Sequence, residues 1–196
     1  MFKSIFTKYM TTFMLIIIAS FIMLASVIST MMVNYYSDAS RDRLTSTAEA
    51  VRTLVQKRMD YTGTDTMRDY LTVNSNEVGA YFTVMTRYMD EDVSLFLTDN
   101  DGNILAFMGF ADPEFGSKKV PADVMTAVGG SGYTGEGDLD GVLTVRRSIL
   151  GVPIYKNGIQ VGAVFACTMS SSLNQLMETT IKTIIMTCLW VLLATL

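Results

Sequence analysis

Histidine does not occur anywhere in the 196 residues. Its lack removes the commonest general base, the imidazole zinc ligand and any Ser–His or Cys–His nucleophile pair. A phosphohistidine cannot form on this chain either. Neither a nucleophile elbow nor a P-loop motif is present. Cysteine is scarce at two residues, Cys167 and Cys188. Two thiols build no disulfide framework, and Cys188 lies inside an apolar run, so a mutual bridge is not expected. Positive charge is short as well. Between Asp38 and Glu178 there are 12 basic residues against 19 acidic ones, net −7. With no basic stripe to neutralise phosphates, nucleic acid is excluded as a partner.

Apolar residues are plentiful, at 49%, and they are concentrated. From Tyr9 to Ser37 no charge interrupts 29 residues. As a helix that run reaches about 43 Å, more than the ~30 Å hydrocarbon core of a bilayer. A signal-peptide core is shorter, about 7–15 residues, and precedes a small-x-small cleavage site. No Ala-x-Ala follows here, so the run reads as an uncleaved transmembrane helix. Lys3 and Lys8 flank it without an acidic neighbour, which places the N-terminus in the cytoplasm and the following segment outside. A second apolar run opens at Thr183 and reaches Leu196. As a helix it is about 21 Å long, short of a full crossing, so the expectation is a second membrane helix truncated by the end of the chain. The expected division is a cytoplasmic N-terminus at 1–8, a transmembrane helix at 9–33, an extracytoplasmic domain at 34–178 and the start of a second transmembrane helix at 179–196.

The outer segment opens with a helical stripe. Leu44, Ala48, Val51, Val55 and Met59 recur at steps of three and four, with Arg43, Glu49, Arg52 and Lys57 off the stripe. No Gly or Pro interrupts Thr11 to Tyr61, so one long helix is expected, broken by Tyr61-Thr62-Gly63-Thr64-Asp65. Its stripe suits packing on a sheet or against a parallel partner helix. Helical stretches are expected near Met67–Val73 and Glu77–Met89. Strands are expected at Val93–Thr98, Asn103–Met108, Leu143–Ile149 and Ile159–Thr168. A short helix over Pro121–Val128 carries Pro in its first turn. The last two strands are joined through Pro153-Ile154-Tyr155 and the turn Lys156-Asn157-Gly158. Ser172-Leu173-Asn174-Gln175 matches a capping box leading into the second membrane run. Strands in a meander with helices at the ends define an α+β domain.

Four motifs invite a functional reading. Gly130-Ser131-Gly132-Tyr133-Thr134-Gly135 spells G-x-G-x-x-G, but a dinucleotide site needs a strand before it and a helix after it. Here the order is reversed, so the glycines are read as ending a helix and starting a strand, and no cofactor is expected. Asp99, Asp101 and Asn103 resemble the start of a calcium loop. Such a loop needs Gly at position six and Glu at twelve; counting from Asp99 those places hold Ile104 and Phe110. Asp101-Gly102 is instead a hairpin pair, and Asp99 with Asp101 remains a minor metal alternative. Asp90-Glu91-Asp92 is a solvated helix end or part of an acidic patch. Finally, in a regular strand Leu143, Val145, Arg147 and Ile149 share one face. An arginine on an apolar face needs a partner, either a protein carboxylate or a ligand carboxylate gripped by its fork. Arg147 is therefore the candidate ligand-binding residue, with Tyr133, Tyr155 and Thr168 as candidate pocket neighbours. No catalytic residue is identified.

The stretches "SLFLTDNDGNILAF" and "GVPIYKNGIQVGAVFACTMSSSLNQL", set between two membrane runs, resemble the extracytoplasmic PAS-like (single Cache, or PDC) sensors of bacterial sensor histidine kinases. The resemblance covers about residues 34–180. It implies a five-stranded antiparallel sheet with the long helix on one face and a ligand pocket, where present, on the other. It also implies a parallel homodimer in the bacterial plasma membrane that detects an extracellular small molecule or peptide. A cytoplasmic kinase module beyond Leu196 would then address a response regulator. Two other readings stay open: the same sensor on a chemoreceptor or cyclic-di-nucleotide protein, and a membrane-anchored interaction protein without kinase output.

Overall fold

The computed structural model describes residues 2–88, 93–169, 178–187, 189 and 190. The Asp90-Glu91-Asp92 run, the Ser172–Gln175 capping box and half of the second apolar run lie outside them. The chain divides into two compact units, Met1–Ala39 with Ser171–Leu196, and Ser40–Ser170.

The first unit contains the beginning of α1 (Phe2–Thr62) and a helix over 178–187. Among the described residues α1 is the one helix long and apolar enough to cross a membrane. Its hydroxyls bond within the helix, Thr12 to the Lys8 carbonyl and Thr30 to the Ser26 carbonyl, both at 2.9 Å. Thr180 meets the Met32 sulfur at 3.6 Å.

In the second unit α1 buries the expected stripe of Leu44, Ala48, Val51, Val55 and Met59. The helix ends at Thr62 because Gly63 takes a left-handed φ of +66°. Thr66 then caps α2 (Met67–Tyr88), accepting from the Asp69 N–H at 3.1 Å while its hydroxyl donates to the Asp69 carboxylate at 2.7 Å. α2 is kinked at Asn74, whose backbone leaves the helical region at φ −120° and ψ 21°. The cause is local. The Asn74 side-chain amide takes the Tyr70 carbonyl at 2.9 Å, an acceptor that a regular helix reserves for the backbone N–H. The two expected helical stretches are the arms of this kink.

The five strands are β1 (Val93–Asp99), β2 (Ile104–Met108), β3 (Tyr133–Gly137), β4 (Arg147–Lys156) and β5 (Ile159–Met169). They form one antiparallel sheet in the order β2-β1-β5-β4-β3. Between β2 and β3 lie a 3-10 turn at Phe115–Ser117 and α3 (Ala122–Ser131). Asp101-Gly102 lies in the turn of the β1–β2 hairpin, as its sequence requires. Gly102 has φ +87°, and a Cβ there would lie 2.7 Å from the Val120 carbonyl oxygen. Asn157 and Gly158, at φ +53° and +79°, close the β4–β5 hairpin in the left-handed pair that matches strand twist.

One expectation is corrected. Residues 143–146 are not strand, and β4 starts at Arg147 and runs through Pro153-Ile154-Tyr155 as regular strand and not as a connection. The glycine-rich segment after α3 ends that helix and starts strand β3, as expected, paired to β4 from Tyr133↔Gly151 to Gly137↔Arg147. Gly132, at φ +88°, caps α3 and leads directly into it.

The sheet has a core on each face. α1 and α2 cover Leu95, Leu97, Leu150, Val152, Ile154, Val164 and Ala166. The opposite face carries Phe96, Ile149, Ala163, Phe165 and Cys167, roofed by α3 and the loops that contain Phe115, Leu139, Val142 and Leu143. Strict alternation along β1, β4 and β5 sorts the residues between these two cores.

Candidate functional site

Arg147 is the first residue of β4, and it is 95% buried. Alternation puts it with Ile149 on the face away from α1. From there its guanidinium reaches across the intervening strand β5, and Nη1 donates to the Ser94 hydroxyl on β1 at 2.8 Å. Ser94 in turn donates to the Gly109 carbonyl at 2.8 Å. Gly109 has φ +80°, and a Cβ there would lie 2.8 Å from Ser94 Oγ, so only glycine lets the chain pass this close. The guanidinium carbon also lies 5.1 Å from the centroid of the Phe110 ring, within cation–π range. Among the described residues no carboxylate pairs with Arg147. Of the two partners expected for it, the protein carboxylate is therefore replaced by a neutral hydroxyl and an aromatic face.

An aromatic cluster extends from this arginine. Phe110 stacks on Phe115 with centroids 4.0 Å apart, and Phe96 stacks on its cross-strand partner Phe165 at 4.7 Å. Phe96 meets Phe110 and Phe115 edge-on at 5.7 and 5.4 Å. The result is a close-packed aromatic cluster with a buried cation at its edge. Cys167 pairs in register with Ser94 and is fully buried on this face. Burial pushes its thiol up to about 12, against the opposing effect of Arg147. It is therefore a packing residue and not a nucleophile.

The other candidates are dispersed. Tyr133 lies on the same face as Arg147, opposite Gly151, and its hydroxyl folds over Gly135. Tyr155 stands at the far end of β4, eight residues from Arg147 or about 26 Å along the strand, and donates to the Gly129 carbonyl at 2.8 Å. Thr168 pairs with Val93 and Ser148, which places it on the α1 face of the sheet. The grouping of Arg147 with Tyr155 and Thr168 is thus corrected: one is too far along the strand and the other faces the opposite way.

Asp99 organises the β1–β2 turn. Its carboxylate accepts from the Asp101 and Asn103 N–H groups at 3.1 and 2.9 Å, from the Asn103 amide at 2.8 Å and from Arg68 at 3.2 Å. Partial burial works to raise its pKa, and these hydrogen bonds, led by Asn103, outweigh burial and lower it. With four donors on two oxygens, the lone pairs a cation would need are occupied. Ser94 and Gly109 were not identified from sequence. The available signals were a lone hydroxyl inside the apolar run Val93–Leu97 and a glycine directly after β2.

No protein-family model and no curated protein matches the chain. Solved structures do. The sensory domain of the Campylobacter jejuni chemoreceptor Tlp3 (CcmL) with isoleucine bound is similar with a TM-score of 0.51 at 16% identity, over 76% of this chain and 58% of that one. The ligand-binding domain of Tlp3 in complex with L-valine has a TM-score of 0.50 at 15% identity, over 76% and 59%. Its complex with L-norvaline has 0.51 at 14% identity, over 76% and 57%. The chain thus spans less than two thirds of the domains it matches. The sheet order, the long helix on one face and the roofed opposite face together give this protein the α+β fold of PAS-like (Cache/PDC) sensor domains.

Proposed function

We propose that this chain is the sensing and membrane portion of a bacterial signal-transduction receptor. In this reading residues 34–178 lie outside the plasma membrane as the sensor, 9–33 span it, and 179–196 begin a second span. The carrying observation is the sensor-domain sheet in a chain whose α1 also contains the 29-residue uncharged run. The signal is a small molecule, a reading supported by the amino-acid ligands of the Tlp3 domains. Arg147 anchors its anionic group, because a buried guanidinium held by a neutral hydroxyl gains from a carboxylate partner. The ligand acts by favouring one of two states of the domain, and a parallel homodimer transmits the shift to the membrane helices. The output is a histidine kinase module encoded beyond Leu196, acting on a response regulator. A chemoreceptor output is the second reading, favoured by the chemoreceptor origin of the similar structures.

Two experiments test this. Alkaline phosphatase fused after Gly102 is expected to be active, since it folds only when exported. Inactivity there, with activity in a fusion to Lys3, overturns the topology. Reading the gene past the Leu196 codon tests the output. A HAMP segment followed by His-Glu, with Pro four residues after that His, supports the kinase. A long methyl-accepting coiled coil replaces it with the chemoreceptor, and an immediate stop codon removes both.

A further inference from the structure

Among the described residues, the far end of the β4–β5 hairpin pairs with no third strand. Pairing with β3 stops at Gly151 on β4, and pairing with β1 stops at Gly162 on β5. Beyond them Tyr155 faces Gln160 and Lys156 faces Ile159, after a register shift between Ile154 and Tyr155. A two-stranded ribbon twists more freely than the inside of a sheet. The position of this end is therefore set by what touches it from either side.

Two helices do so, one on each face. Successive residues of a strand point to opposite faces, and Tyr155 and Lys156 are successive. On the α3 face the Tyr155 hydroxyl donates to the Gly129 carbonyl, near the end of that helix, at 2.8 Å. Gly129 also lies so close to Gln160, the cross-strand partner of Tyr155, that an added Cβ would collide with its side-chain amide. On the α1 face Lys156 turns inward, with its side chain 11% exposed. Its ammonium donates to the Met59 carbonyl at 3.4 Å and to the Thr64 carbonyl, and pairs with the Asp65 carboxylate at 3.4 Å. Carbonyls at the C-terminal end of a helix carry partial negative charge that a cation satisfies. From α1 itself, the Gln56 side-chain amide donates to the Tyr155 carbonyl at 2.9 Å. One dipeptide is thus bonded to the C-terminal ends of both helices.

We propose that the tip of the β4–β5 hairpin is a two-sided relay, which passes a displacement of α3 to the C-terminal end of α1 and the reverse. The Tyr155 side chain, the Tyr155 carbonyl and Lys156 are joined through one planar peptide unit. A shift on one face therefore pulls on the contacts of the other, and the coupling is reciprocal. The relay goes beyond the receptor reading above and needs no ligand, being a property of the folded chain.

The test follows hydrogen exchange of the full chain in lipid nanodiscs at the amides of 57–63 and 128–132, with Leu95 and Leu97 of β1 as references. Tyr155→Phe deletes a hydroxyl bonded to α3. It is expected to speed exchange about threefold or more at both helix ends and to leave the references unchanged. Lys156→Met deletes the cation held by α1 and is expected to do the same at both ends. In the double variant the increase at each end should fall short of the product of the two single increases, as coupled contacts require. If each variant loosens only the helix it touches, or if the double variant is fully multiplicative, the relay is overturned. Arg68→Met removes the exposed pair with Asp99, which lies opposite Gly162, and is expected to move neither helix end. An equal effect from it shows general loosening and overturns the relay as well. Should Lys156→Met not fold, Gln56→Ala breaks the other bond from α1 and is read by the same outcomes.

Discussion

Arg147 of β4 donates to Ser94 of β1 across the strand between them, at 2.8 Å, and the Ser94 hydroxyl in turn donates a hydrogen bond to the Gly109 carbonyl at 2.8 Å. Among the described residues, this hydroxyl is the hydrogen-bond partner of a buried cation that also faces the Phe110 ring. Deleting that hydroxyl leaves the charge in place, whereas deleting the charge removes the need for it. Ser94→Ala is expected to destabilise the protein by about 1–3 kcal/mol. Arg147→Met is expected to lie within about 1 kcal/mol of the parent or above it. Denaturant titration of both variants checks the order, and a larger loss in Arg147→Met reverses the account.

Gly162 of β5 packs against β1 so closely that an added Cβ would collide with the Thr98 carbonyl oxygen, a backbone atom that cannot swing aside. Gly162→Ala is expected to cost about 2–3 kcal/mol through overpacking. Gly79→Ala, on the open side of α2 with nothing within 4 Å, is expected to stabilise by up to about 1 kcal/mol through helix propensity. Thermal melts of the pair give opposite signs if the sheet spacing is as described.

Phe96 touches three other phenylalanine rings and is fully buried, while Phe107 on edge strand β2 is 39% exposed. Phe96→Ala is expected to lose about 3–5 kcal/mol, enough to unfold a marginal domain. Phe107→Ala should lose markedly less. Circular dichroism of the two variants at 25 °C distinguishes them.

The Asp99 carboxylate is held below its ordinary range by its turn hydrogen bonds and Arg68, which outweigh burial. A depressed folded-state pKa means that stability from this group is fully present above the ordinary carboxylate value near 3.9. It is lost as pH falls through the lower folded value. Melting temperature measured between about pH 2 and 6 should therefore fall less steeply in Asp99→Asn than in the parent over that acid window. Parallel curves would show that Asp99 titrates alike in both states.

Cys167 is fully buried with its thiol pushed up to about 12. In a Cys188→Ser background, a thiol-specific disulfide reagent at pH 8 is expected to leave Cys167 unmodified in the folded protein and to react fully once denaturant unfolds it. Rapid labelling without denaturant would contradict the burial of β5.

Much of this fold was legible in the sequence because the signals act over a few residues. The 3–4 stripe from Leu44 to Met59 required a helix with one buried face, and Gly63 required its end. Asp101-Gly102 and Asn157-Gly158 required turns through their torsional freedom, so two of the hairpins were set locally. The uncharged run from Tyr9 to Ser37 required a membrane-length helix by its extent alone. The start of β4, the pairing of Tyr133–Gly137 with β4 and the partner of Arg147 came only with tertiary structure. A glycine-rich segment has no strand preference of its own and becomes β3 because β4 supplies hydrogen-bond partners. Arg147 needed a partner by electrostatics, and sequence suggested a carboxylate. Strand order instead brought it to a hydroxyl 53 residues away. Alternation then decided the remaining candidates, sending Tyr133 to the same face as Arg147 and Thr168 to the other, because one step along a strand exchanges the two sides of the sheet.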